Sequence, residues 1–140
     1  MHIEELEFDY NRNEQERDQI IGQAFCNPPG KSIRRFSELS LDKLQEFVEK
    51  GFADPKESQN NSPTIEYLLE LGEIAQSEGR KVTFDGYTVP LEREDYRVSV
   101  DAINIYSQGI GECLGQKFTE LEETADEFTL TTDLLSAWWD

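Results

Sequence analysis

The sequence predicts an α+β fold: a single acidic domain over residues 1–140 with about five helices and a small antiparallel sheet. Three observations lead there. Apolar residues recur at helical spacing in five separate stretches. Two alternating, β-branched runs at 82–89 and 96–106 are joined by a short charged connector, as in a hairpin. Finally, no repeat, low-complexity tract or linker divides the chain.

Taken in order, residues 3–10 alternate, with Leu6, Phe8 and Tyr10 on one side and Glu5, Glu7 and Asp9 on the other. This is the period of a half-buried third strand. Asn13 followed by Glu16 resembles a capping box and opens a helix carrying Ile20, Ile21, Ala24 and Phe25, which must stop before Asn27-Pro28-Pro29-Gly30. Ser40 is the clearest helix start, with Asp42 in the first turn. Leu41, Leu44, Phe47 and Val48 form its apolar stripe and Gly51 its stop. After a polar loop over 54–61, Ser62-Pro63 reads as cap and first turn of a third helix ending by Gly79. Ile65, Leu68, Leu69, Leu71, Ile74 and Ala75 run nearly all round it.

In the hairpin, Val82, Phe84 and Gly86 share one face, and Tyr96, Val98, Val100 and Ala102 share a face of the partner. Leu114, Phe118, Leu121 and Ala125 fall at helical spacing, and Thr132 to Trp139 reads as a short closing helix capped by Thr131 or Thr132. The expected core is Leu44, Phe47, Ile65, Leu68, Leu69, Phe84, Val98, Val100, Phe118 and Leu121.

Charge sets the class of partner. Thirteen Lys and Arg against 30 Asp and Glu leave a net charge of −17, while Leu, Ile, Val and Phe still supply about a quarter of the chain, enough for a folded core. Binding to nucleic-acid phosphates or to an anionic membrane draws on Lys and Arg, so both are disfavoured. No apolar run approaches the roughly 18 residues of a spanning helix, and Met1-His2-Ile3-Glu4-Glu5 is acidic where a signal peptide is basic. A cytoplasmic setting is expected, with Cys26 and Cys113 reduced and buried as small apolar side chains.

Catalytic signatures are weak. Gly109-Ile110-Gly111-Glu112-Cys113-Leu114-Gly115 is spaced GxGxxxG, with too few residues after it for a dinucleotide-binding βαβ unit. Pro28-Pro29-Gly30-Lys31-Ser32 ends like a phosphate loop, but Phe25 stands where the first glycine belongs. The lone His2 is a poor triad member, and two Cys with one His do not furnish a four-ligand zinc site. The basic cluster Lys31, Arg34 and Arg35 is best read as neutralising carboxylates of its own surface. No catalytic, metal or cofactor residue is assigned.

The expectation is therefore a non-enzymatic protein-binding module, of adaptor, inhibitor or immunity type, for a basic partner. Its contact surface is placed at Asp85, Tyr87 and the tip Glu92, Arg93, Glu94 and Asp95, with one of Trp138 or Trp139 at the margin, since only one of an adjacent Trp pair can face the core. The alternative is a small carboxylate- or metal-dependent enzyme.

Overall fold

The computed structural model describes residues 9–26, 33–58, 62–106, 121, 124–130 and 134–139. Three helices begin on side-chain caps. Asn13 Oδ1 accepts from Glu16 N at 3.1 Å to open α1 (Glu14–Ile21), and Ser40 Oγ accepts from Lys43 N at 3.2 Å to open α2 (Leu41–Glu49). The third, α3 (Ile65–Ser77), is capped by Thr64, whose Oγ1 accepts from Tyr67 N at 3.2 Å. Thr64 therefore takes the place expected of Ser62, because it stands directly before the first apolar residue, Ile65. α1 is shorter than expected. It ends at Gly22, whose φ of +52° few side chains tolerate, and a 3₁₀ turn over Gly22–Ala24 leads Phe25 into a bridge with Phe36.

The sheet is larger than the sequence suggested. Five antiparallel strands, β1 (Arg34–Ser40), β2 (Lys81–Thr88), β3 (Val98–Tyr106), β4 (Glu127–Leu130) and β5 (Leu134–Trp138), lie in the order β1-β2-β3-β5-β4. The β2–β3 hairpin is as expected, pairing Lys81 with Tyr106 through Thr88 with Val98. The expected closing helix is instead β5, which pairs with both β3 and β4. The described residues thus hold three α-helices rather than about five. The helix expected around 114–125 and the strand expected over 3–10 lie mostly outside the described residues; Asp9 and Tyr10 themselves are not in a strand.

Helices α2 and α3 cover one face of the sheet. Leu41, Leu44, Phe47, Ile65, Leu68 and Leu71 pack there against Phe36, Leu39, Val82, Phe84, Ile103, Ile105, Leu135 and Trp139. Of the ten expected core residues, eight are buried, Leu69 is half-buried against the core, and Phe118 lies outside the described residues. One face assignment changes. Asp85 pairs with Ala102 but Gly86 with Val100, so Asp101 is the extra residue of a bulge. The core side of β3 passes from Val98 and Val100 to Ile103 and Ile105, and Ala102 does not join the core cluster.

Candidate functional site

The connector between β2 and β3 is built by its own arginines. Arg93 N donates to Pro90 O (3.1 Å), Tyr96 N to Arg93 O (3.3 Å) and Val89 N to Arg97 O (2.9 Å). Arg93 grips Asp95 through two bonds, Nε to Oδ1 at 2.9 Å and Nη2 to Oδ2 at 2.7 Å. Arg97 Nη1 donates to the Asp95 carbonyl and carboxylate, and its Nη2 to the Tyr87 hydroxyl at 3.1 Å. Slight desolvation raises the Asp95 carboxyl, but the Arg93 and Arg97 bonds outweigh it and hold the group below the usual carboxylate range. Glu92 and Glu94 are exposed and form no ion pair among the described residues.

Beside this tip lies a groove of about 340 Å³ lined by Tyr10, Arg12, Asp54, Glu94, Asp95, Tyr96 and Arg97. Its floor is aromatic: Tyr10 meets Tyr96 edge to face at 5.7 Å, and the Arg12 guanidinium stands 5.0 Å from the Tyr96 ring centre. Tyr96 is fixed from the far side by Arg17 Nη1, which donates to its hydroxyl at 3.4 Å. Arg12 Nη1 donates to Leu91 O at 3.2 Å. The guanidinium groups of the groove are thus engaged internally, whereas Glu94 brings a carboxylate that pairs with no cation among the described residues.

Next to the groove, Glu57 joins the α2–α3 connection to β3. Its Oε2 accepts from Ser99 Oγ at 2.8 Å, while Oε1 is buried without a hydrogen-bond partner among the described residues. Burial raises the Glu57 carboxyl above its ordinary range and Asp54 adds to this, with Ser99 and Arg97 opposing. Burial, with the Glu57 and Asp54 carboxylates, likewise holds the Tyr10 hydroxyl well above its usual range. Ser99 is fully buried, which removes its hydroxyl from any substrate.

The sequence-assigned surface is only partly assembled. Glu94 and Asp95 line the groove, Arg93 holds Asp95, and Glu92 stands exposed on the same connector. Tyr87 is 8% exposed, its hydroxyl taken by Arg97, so it supports the tip rather than offering a contact. Asp85 lies away from the tip and is engaged by Ser37, Glu38 and Asn104. Trp138 is half-buried and pairs with Ala102, which pairs with Asp85, so it stands two strand spacings, about 10 Å, from Asp85. Trp139 is fully buried in the core, its Nε1 donating to Thr124 Oγ1 at 3.0 Å.

Tyr10, Arg12, Asp54 and Glu57 were not legible as site residues, since no local pattern links them to the tip. Tyr96 and Arg97, which flank it directly, were the available signal. The remaining candidates resolve simply. Arg34 stacks on Phe25 (3.5 Å) and pairs with Asp18, and Arg35 pairs with Asp101, as a cluster neutralising its own surface does. Lys31 and the glycine-rich stretches at 28–32 and 109–115 lie outside the described residues. Cys26 is exposed rather than buried, because its segment runs along the sheet edge, its N–H on Arg35 O. Among the described residues no three His, Cys, Asp or Glu are grouped to hold a metal, and no helix is long and apolar enough to cross a membrane. No family model, curated protein or solved structure matches the chain.

Proposed function

We propose that this protein is a non-enzymatic binding module of adaptor, inhibitor or immunity type that covers a basic protein partner, with the tip Glu92–Asp95 and the adjoining groove as its contact surface. One observation carries the reading. Arg93 and Arg97 lock the connector through Asp95, while Glu92 and Glu94 stay exposed on it and form no ion pair among the described residues. Charge held on a rigid support costs little ordering on binding. A net charge of −17 steers encounter with a positive surface and disfavours nucleic acid and anionic membrane. A cytoplasmic setting belongs to the same proposal.

The test is a pull-down from the source cell at low and high salt, followed by association kinetics with the recovered protein. Glu92→Gln with Glu94→Gln is expected to slow association about tenfold at low salt and flatten its salt dependence, with folding stability unchanged within about 0.5 kcal/mol. Asp95 is left intact because it holds the connector. Unchanged on-rates would reject the tip as the contact surface.

A small carboxylate-dependent enzyme is the second reading, favoured by the raised Glu57 carboxyl beside a groove. A small molecule retained by the purified protein and lost in Glu57→Gln would favour it.

A further inference from the structure

Glu57 is an unusual group for the place it occupies. It sits in the connection between α2 and α3, and that connection is tied down by backbone bonds around it: Glu57 N to Asp54 O (3.0 Å), Ile65 N to Glu57 O (3.0 Å) and Glu66 N to Pro55 O (2.8 Å). Its side chain is the point at which the connection meets β3, through Ser99. A carboxylate there would carry charge on two oxygens, one of them buried with no donor and neither in an ion pair among the described residues. Such a group is costly to keep charged. The neutral acid removes the conflict. Its Oε2–H donates to Ser99 Oγ, and Oε1 becomes a carbonyl oxygen, for which a missing partner costs far less than for a carboxylate.

The surrounding groups favour the same state. Asp54, on the same connection, repels a carboxylate at Glu57, and Tyr10 from the N-terminal segment lies close enough for both acids to raise its hydroxyl. Arg97, before β3, attracts, but its guanidinium is already engaged by Asp95 and Tyr87. The unfavourable burial exceeds what Ser99 and Arg97 return.

We propose that Glu57 is a proton-operated latch: as the neutral acid it stays buried and pins the 54–58 segment onto β3, and on ionisation the cost of a buried charge, only partly offset by the Ser99 bond, releases that segment. Because Asp54 is both part of the segment and a wall of the groove, release also reshapes the groove. The proposal stands on the buried Oε1 and the Glu57–Ser99 bond, and holds whether or not the groove is the partner's contact surface.

The sign of the linkage follows. A carboxyl raised in the folded state adds stability below its unfolded value, and this is lost as pH rises through the folded one. The experiment is amide hydrogen exchange on the full chain from pH 5 to 8, expressed as protection factors, alongside the ¹³C titration of the Glu57 carboxyl. Protection at Glu57, Ile65 and Glu66 is expected to fall at least tenfold with rising pH, with the midpoint at the Glu57 titration and above the ordinary glutamate range. Glu57→Gln, which keeps the neutral shape, is expected to hold protection constant with pH. Ser99→Ala removes a bond that favours the charged form and is expected to move the midpoint up. A Glu57 carboxyl titrating at the ordinary glutamate value, or protection in the natural chain that ignores pH, overturns the latch without any variant having to fold.

Discussion

Asp85 holds the backbone of Glu38. The Asp85 Oδ1 accepts from Glu38 N at 2.9 Å, and Glu38 is the one described non-glycine residue with a positive φ, +59°. This is the point where β1 shifts register against β2, between Phe36 and Leu39. The same carboxylate accepts from Ser37 Oγ at 3.1 Å and from Asn104 Nδ2 at 3.3 Å, so it fastens the irregular edge strand to the sheet. Asp85 is thus a clamp on the edge strand. Asp85→Ala is expected to cost about 2 kcal/mol in urea denaturation, the sum of its bonds less their solvation. Glu38→Gly removes about 1 kcal/mol of left-handed strain and is expected to leave stability equal or higher. Equal losses from both changes would show that the bulge is not under strain.

The bulge also explains why β1 was illegible. In Arg34–Ser40 the inward residues are Phe36 and Leu39, three apart, because Ser37 and Glu38 together oppose Asp85. Period two is lost from the sequence. A similar break at Asp101 misassigned Ala102, and at four residues β4 is too short to show a period. Helix starts were readable because a cap is a local event: Asn13 and Ser40 act within four residues of themselves. The groove joins Tyr10, Asp54 and Glu94, and only the tertiary fold brings them together.

Gly86 is a second backbone constraint. A Cβ at this position would overlap the Ser99 carbonyl oxygen and stand 2.8 Å from Phe36 Cζ. Neither neighbour can yield, one being central-strand backbone and the other a fully enclosed ring. Gly86→Ala is expected to cost about 3 kcal/mol or to prevent folding, a large effect for one methyl group. A melting temperature within a few degrees of the natural chain would contradict the β2–β3 register.

The two tryptophans separate the strand from the helix reading of the C-terminal segment. On a strand, Leu135, Ala137 and Trp139 face the core while Leu134, Ser136 and Trp138 face away, and burial follows that alternation. The apolar pair Leu134-Leu135 and the pair Trp138-Trp139 hid this period in the sequence. Trp139→Ala is expected to cost about 3–5 kcal/mol and Trp138→Ala less than half of that. In acrylamide quenching, Trp138→Phe is expected to leave a protected emitter and Trp139→Phe an accessible one. Equal accessibility would contradict β5.

The Arg35–Asp101 pair makes a pH-dependent prediction. Asp101 is buried, and burial raises its carboxyl more than Arg35 lowers it; the neighbouring Asp85 adds to the rise. Arg35 is half exposed and donates from Nη2 to both oxygens, at 3.0 and 3.1 Å. Arg35→Met leaves the acid without its cation, at a cost of about 2 kcal/mol at pH 7, below the range for fully buried pairs because water reaches Arg35. Removing the cation raises the folded-state value further, so stability must fall more steeply with rising pH than in the natural chain. The penalty is expected to shrink as pH falls through the Asp101 titration and the acid becomes neutral. A penalty independent of pH would show that Arg35 acts only through its packing.

The last prediction concerns the charge as a whole. With net −17 in a small domain, self-repulsion opposes the compact state, and salt at about 0.1 M screens it over roughly 10 Å. The described ion pairs answer only part of it. Lys50 with Glu16 and Glu46, and Arg93 with Asp95, lie at the surface, where a pair is worth about 0–1 kcal/mol and is itself weakened by salt. Arg17 is the better-shielded case, 3% exposed against Asp18, and salt should hardly touch it. Repulsion summed over an excess of 17 acids outweighs a few weak pairs, and the unfolded chain, with its charges spread wider, gains less from screening. The melting temperature is therefore expected to rise by several degrees between low salt and about 0.5 M NaCl at pH 7. Potassium chloride should give the same rise, since the effect is one of ionic strength. An unchanged or falling melting temperature would mean that local pairing already cancels the repulsion, and that the excess charge does not oppose folding.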